Sequence, residues 1–184
     1  MGLAVGVAVG LAPYLGTQQV PLFTPLLDMV PASIRDSTLP LAAALMGTIA
    51  ASVQWFGSDR TSLRTLRWAF LATLGCCLLT LSLFMWVNSS YVIKVSAEGG
   101  TRTTSFVIGL TRQPSCTCPA GASDEQCIDG LSWDQSAIAQ CWGDRAIRQA
   151  SLLVRGTYLL ATGAFGALVG LLVLRGSVRG RETK

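Results

Sequence analysis

The sequence predicts an all-α polytopic membrane protein. Four transmembrane helices carry a small disulfide-stapled extracytoplasmic lobe, which contains a β-hairpin and a helix continuous with the fourth span. Three observations lead there. Only 13% of the 184 residues are charged against 51% hydrophobic, and the mean hydropathy is +0.49; a soluble domain carries about a quarter charged residues. The apolar residues gather into long runs, as a bilayer demands and a single buried core does not. Finally, Cys116, Cys118, Cys127 and Cys141 all fall in the one long stretch between such runs.

The first expected span covers 1–20, with Gly2, Gly6 and Gly10 on one helix face where a neighbouring helix can approach closely, within a subunit or between subunits. A cleaved signal peptide is the competing reading. It lacks a basic n-region and a clean small-residue cleavage site. Residues 21–38 form a loop punctuated by Pro21, Pro25 and Pro31, and the apolar residues between them suit short turns resting in the membrane interface.

The second span is 40–57, opened by Pro40 at its first turn, where a missing N–H costs nothing, and closed by Trp55 and Phe56 at headgroup level. Thr48 and Ser52 are four apart and share a face. They are possible pore-lining residues, or they bond back to their own helix carbonyls. A short polar connection, 58–67, carries Arg60, Arg64 and Arg67. The third span, 68–87, is bracketed by Trp68 and Trp86, and Cys76 and Cys77 at its middle read as small apolar packing residues.

The lobe spans 88–151. Two β-like runs, around Tyr91 to Val95 and Thr103 to Leu110, flank Gly99 and Gly100 and read as a hairpin, which needs something to pack on. The four cysteines that follow suggest two disulfides. Cys116 and Cys118 are poorly placed to pair together, and three pairings are formally open. The paired knuckles of common zinc sites and the C-x-x-C of thiol-exchange sites are both missing, so no metal and no cofactor is expected. Ser132 and Gln135 have capping-box spacing at the head of a helical run. With no proline after that point, one long helix or two collinear ones should run into the membrane, weakest at Gly143 and Gly156.

The fourth span is 152–174, with Gly163, Gly166 and Gly170 as a small-residue face expected to meet the matching face of the first span or of another subunit. The tail, 175–184, carries Arg175, Arg179, Arg181 and Lys184. Basic residues are dense in 58–67 and in the tail, and elsewhere are diluted by acidic ones. The expected topology in a plasma or inner membrane therefore puts both termini in the cytoplasm and the cysteine lobe outside. The arginines flanking the spans would set that topology and meet lipid headgroups.

Function is bounded mainly by exclusion. The chain has no histidine, the commonest general base and metal ligand. Its net charge of +4 lies beside membrane spans, so nucleic acid is not an expected partner. Arg145, Arg148 and Arg155 are placed on the juxtamembrane part of the last helix, and no charged residue is expected deeper inside any span, which disfavours proton- or ion-coupled transport. No phosphate loop or nucleophile–base arrangement points to a small-molecule substrate. The expectation is a non-enzymatic protein that self-assembles through glycine-rich helices, a pore-forming or membrane-perturbing effector under the control of a partner protein, of a kind that would suit defence or stress. The alternatives are an accessory subunit of a larger membrane complex and an extracytoplasmic thiol–disulfide enzyme. Membrane lipids and either further copies or a membrane-complex partner are the expected contacts.

Overall fold

A computed structural model describes residues 31–57, 63–96, 103–119 and 121–182. The elements in chain order are α1 (Ala32–Gly57), α2 (Leu63–Tyr91), β1 (Val92–Ser96), β2 (Thr103–Val107), α3 (Asp124–Gly130), α4 (Gln135–Trp142) and α5 (Asp144–Glu182). Among the described residues, three helices are long and apolar enough to cross a membrane, through 38–55, 64–91 and 144–176. That is three spans where four were expected. The expected first span, 1–20, with Gly2, Gly6 and Gly10, lies outside the described residues.

α1 begins at Ala32, eight positions before the expected opening at Pro40, so the end of the supposed loop is helical. Proline inside a helix removes one backbone hydrogen bond and strains the preceding turn. Here that turn is held from both sides. The Ile34 N–H donates to the Pro31 carbonyl at 2.9 Å, and the Thr38 hydroxyl donates to the Ile34 carbonyl at 2.6 Å. Ile34 itself is buried in a cluster with Phe84, Val87 and Val154. Packing of this first turn on the other helices outweighs the cost of Pro40 inside the helix.

α5 packs along both α1 and α2, while α1 and α2 barely meet each other. Its 39 residues make a rod about 58 Å long at 1.5 Å per residue, well beyond a hydrocarbon core of about 30 Å. α5 is therefore long enough to cross a membrane and still reach into the lobe. It runs unbroken through Gly156. The break falls at Gly143, whose φ of +79° ends α4 and starts α5 at an angle.

The hairpin follows α2 with no intervening residue. β1 and β2 are antiparallel, with Val92 opposite Val107 and Ser96 opposite Thr103, and the Ile108 N–H donates to the Tyr91 carbonyl at 2.9 Å. Strand alternation splits its two faces between two cores. Val92 and Val107 pack toward the Ile34–Phe84–Val87–Val154 cluster. Val95 and Ile108 join Cys127, Ile128, Ile138, Cys141 and Trp142 in the lobe, with Ile93 and Phe106 against them. The cysteine segment thus supplies the support that an isolated hairpin lacks.

The capping box also sits elsewhere than expected. Ser123 and Gln126 form it at the head of α3: the Gln126 N–H donates to Ser123 Oγ at 3.2 Å, and the Ser123 N–H donates to Gln126 Oε1 at 3.0 Å. Ser132 cannot cap, because φ values of 53° at Ser132 and 62° at Trp133 place both in a left-handed turn. Asp134 caps α4 instead, accepting from the Ser136 N–H and the Ser136 hydroxyl, each at 2.9 Å. The backbone bond first, and the hydroxyl second, hold the Asp134 carboxyl below its ordinary range. A carboxylate whose folded value is depressed stabilises above its unfolded value and loses that contribution as pH falls through the folded one. Helicity of α4, followed by hydrogen exchange, should therefore weaken in acid. Asp134→Asn, still a good cap, should abolish that dependence.

Candidate functional site

The lobe is the chemically richest part of the described chain, and its centre is sulfur. Cys116 is bonded to Cys141 and Cys118 to Cys127, with Cα–Cα separations of 4.3 and 5.4 Å. The bridges staple the irregular 108–119 segment to both lobe helices, because Cys127 lies on α3 and Cys141 on α4. A backbone bond from the Gln113 N–H to the Cys141 carbonyl, 2.7 Å, sets the same segment against α4.

Arg112 is the second organiser, and its role was not read from the sequence. Its Nε donates to Asp124 Oδ1 at 2.7 Å, its Nη2 donates to the Ala122 carbonyl at 2.7 Å, and its guanidinium lies 5.8 Å from the centre of the Trp142 ring. One planar cation thus joins the loop, the head of α3 and the buried tryptophan, a fork geometry that lysine cannot reproduce. Gln113, Gln135, Ser136, Ala139, Gln140, Gly143 and Asp144 line a shallow groove of mixed polarity on the lobe surface.

The four sulfurs all lie within 4.8 Å of one another. Fully reduced, they would be compact enough for tetrahedral thiolate ligation of a zinc-class ion. Bonded in pairs, they offer no thiolate.

In the apolar part of α5 the glycines have a definite neighbour. A Cβ at Gly166 would lie 2.8 Å from Met46 Cγ and 2.9 Å from Met46 Cα, one at Gly170 would lie 3.1 Å from Ala50 Cα, and one at Gly163 would lie 3.3 Å from Ile49 Cδ1. The small-residue face is filled by α1 of the same chain. Gly166→Leu should therefore push the helices apart and destabilise the bundle by about 1–3 kcal/mol or more. Gly156→Leu, with nothing within 4 Å, should be tolerated. Thermal unfolding of the two variants in one detergent checks the contrast.

Thr48 and Ser52 bond to their own helix, donating to the Ala44 carbonyl at 2.7 Å and the Thr48 carbonyl at 2.8 Å. Arg64 and Arg67 lie in the first turns of α2 and Arg175 on α5, all exposed. Arg179 and Arg181 continue α5, and Arg60 lies outside the described residues. Arg155, expected on the juxtamembrane part of the last helix, lies within 152–174. Arg155 sits one turn in from the lobe end, and its Nε and Asn88 Oδ1 are buried without a hydrogen-bond partner. A long side chain near a helix end can carry its charge toward the interface, which makes that position tolerable.

No match was found. Neither protein-family models, nor curated proteins, nor solved structures show significant similarity to the chain. The functional reading rests on its own geometry.

Proposed function

We propose that this chain is a non-enzymatic integral membrane effector whose cystine lobe lies outside the membrane, receives a partner protein and controls the helices beneath it. The observation that carries this reading is the direct joining of lobe and helices. β1 starts at the residue after α2 ends, and only Gly143 separates α4 from α5. Two of the three long apolar helices among the described residues are thereby continuous with the lobe, so a partner that shifts the lobe acts on both. Side chains of the lobe hairpin and of α1, α2 and α5 also share one buried cluster, which stiffens the joint.

The response would be a change in how the helices pack in the bilayer, leading to assembly and permeation. Only 11% of the apolar window of α2 is buried. Its outer face, with Trp68, Leu71, Leu78, Leu79 and Trp86, is open to lipid or to further helices. Close association by that route would rest on side-chain packing. The Arg-rich short connection and tail would face the cytoplasm. An accessory subunit that docks through the same lobe, without permeation, is the second reading, and the shallow groove beside Gly143 favours it.

Dye-filled liposomes separate the two. The intact protein should be silent, and loosening the lobe by Trp142→Ala should release dye and raise the oligomer mass seen by native mass spectrometry. Liposomes that stay sealed, with the protein monomeric in both forms, would eliminate the effector reading and leave the docking subunit.

A further inference from the structure

The two disulfides are distinct in the covalent structure but touch in space. Cys116 Sγ and Cys127 Sγ, one from each bridge, are 4.0 Å apart. Access to the four sulfurs is uneven. Cys127 and Cys141 are 1% and 2% exposed, whereas Cys116 and Cys118 are half-buried. A thiol arriving from solvent can therefore reach only one sulfur of each bridge, and the group it displaces is released inside the cluster.

We propose that this cluster is a thiol–disulfide exchange site, in which a thiol-class reductant entering at Cys118 moves a bridge from Cys116–Cys141 to Cys116–Cys127 and sets Cys141 free. The incoming thiolate attacks Cys118 Sγ, the bond to Cys127 breaks, and Cys127 leaves as a thiolate while Cys118 carries the mixed disulfide. The Cys127 thiolate then attacks Cys116 Sγ. The Cys116–Cys127 bond forms, the Cys116–Cys141 bond breaks, and Cys141 takes up a proton. A second thiol of the reductant resolves the mixed disulfide on Cys118. The reductant ends as its own disulfide, having supplied two electrons and two protons, and Cys118 and Cys141 end as thiols. Exchange of this kind needs an accessible sulfur to attack and a second sulfur in reach of the leaving thiolate. Both conditions are met here without any C-x-x-C sequence.

The consequence is mechanical. Cys141 is two residues from the Gly143 break that leads into α5. Its release detaches the 108–119 segment covalently from α4, while the Cys116–Cys127 bond keeps that segment on α3. The exchange stands whether or not the lobe controls the helices, because it depends only on the sulfur cluster.

Disulfide mapping tests it. The full chain in detergent is titrated with dithiothreitol, quenched in acid, alkylated under denaturing conditions and digested; Cys76 and Cys77 serve as free-thiol references. At the stage where two lobe thiols are exposed, Cys118 and Cys141 should be alkylated together and a Cys116–Cys127 peptide should appear. Alkylation in the original pairs alone, Cys118 with Cys127 or Cys116 with Cys141, would overturn the proposal. Cys118→Ser provides a second reading without reductant. Its Cys127 thiol should displace Cys141 from Cys116, giving Cys116–Cys127 and an alkylated Cys141; retention of Cys116–Cys141 in every molecule would count against it.

Discussion

Trp142→Ala should unfold the lobe while leaving the long helices folded. Trp142 is 2% exposed and belongs to the lobe core with Val95, Ile108, Ile128 and Ile138, and it carries the Arg112 guanidinium on its ring. Truncating a buried tryptophan costs about 3–5 kcal/mol. That is a large part of what a domain of this size has to lose, since native stabilities amount to about 5–15 kcal/mol. The loss is not confined to volume. Arg112 loses its aromatic neighbour, and Gly109 packs so closely on the same stretch of α4 and α5 that a Cβ there would lie 2.8 Å from Ala146 Cβ. Hydrogen exchange should show protection vanishing across β1, β2, α3 and α4 and persisting in α1 and the central part of α5. A variant that keeps lobe protection would show that the lobe is held by something other than this core.

The second large effect is expected from the longer disulfide. Replacing Cys116 and Cys141 together by serine opens a bridge with a sequence separation of 25, against 9 for Cys118 and Cys127. In the chain-entropy account, loops of these lengths contribute about 3.5 and about 2.6 kcal/mol. The longer bridge should therefore matter more, because Cys127 and Cys141 are equally buried and each ties the loop to one helix. Denaturant unfolding of the two double variants, followed by near-ultraviolet circular dichroism, should place the Cys116→Ser/Cys141→Ser midpoint lower. Equal midpoints would show that loop length does not set what each bridge contributes.

Much of the architecture was readable in the chain because hydropathy is a local property. The runs at 40–57, 68–87 and 152–174 all lie in long helices, and the period-2 pattern on either side of Gly99 and Gly100 lies in paired strands. What was misread depends on contacts between distant residues. Pro40 reads as a start signal until Ile34 is seen buried against Phe84 and Val154. Ser132 and Gln135 have the spacing of a capping box, but the left-handed turn at Ser132 and Trp133 passes that role to Asp134.

The candidate site was readable in its parts and not in its connections. Spacing identified four cysteines able to form two bridges, and it could not choose the partners. That choice reflects the 108–119 segment lying across α4, with Gln113 bonded to the Cys141 carbonyl. Arg112 carried no sequence signal, since a lone arginine in a loop looks solvated until its partners are known. The stripe of Gly163, Gly166 and Gly170 announced a close helix contact without saying which helix makes it. The expectation of the first span or another subunit gives way, among the described residues, to α1.

That last assignment is central, because a face already filled within the monomer cannot also be the seam of an assembly. A Cβ at Gly170 would lie 3.1 Å from Val53 Cβ, close to the span of a disulfide. Val53→Cys and Gly170→Cys can therefore be combined, with Cys76→Ala and Cys77→Ala to remove the free thiols. Chains labelled with light and heavy nitrogen are mixed in one membrane preparation, oxidised and digested. The linked peptides from positions 53 and 170 should carry a single isotope, both halves light or both heavy. Linked peptides with one light and one heavy half, or no link at all, would contradict the account.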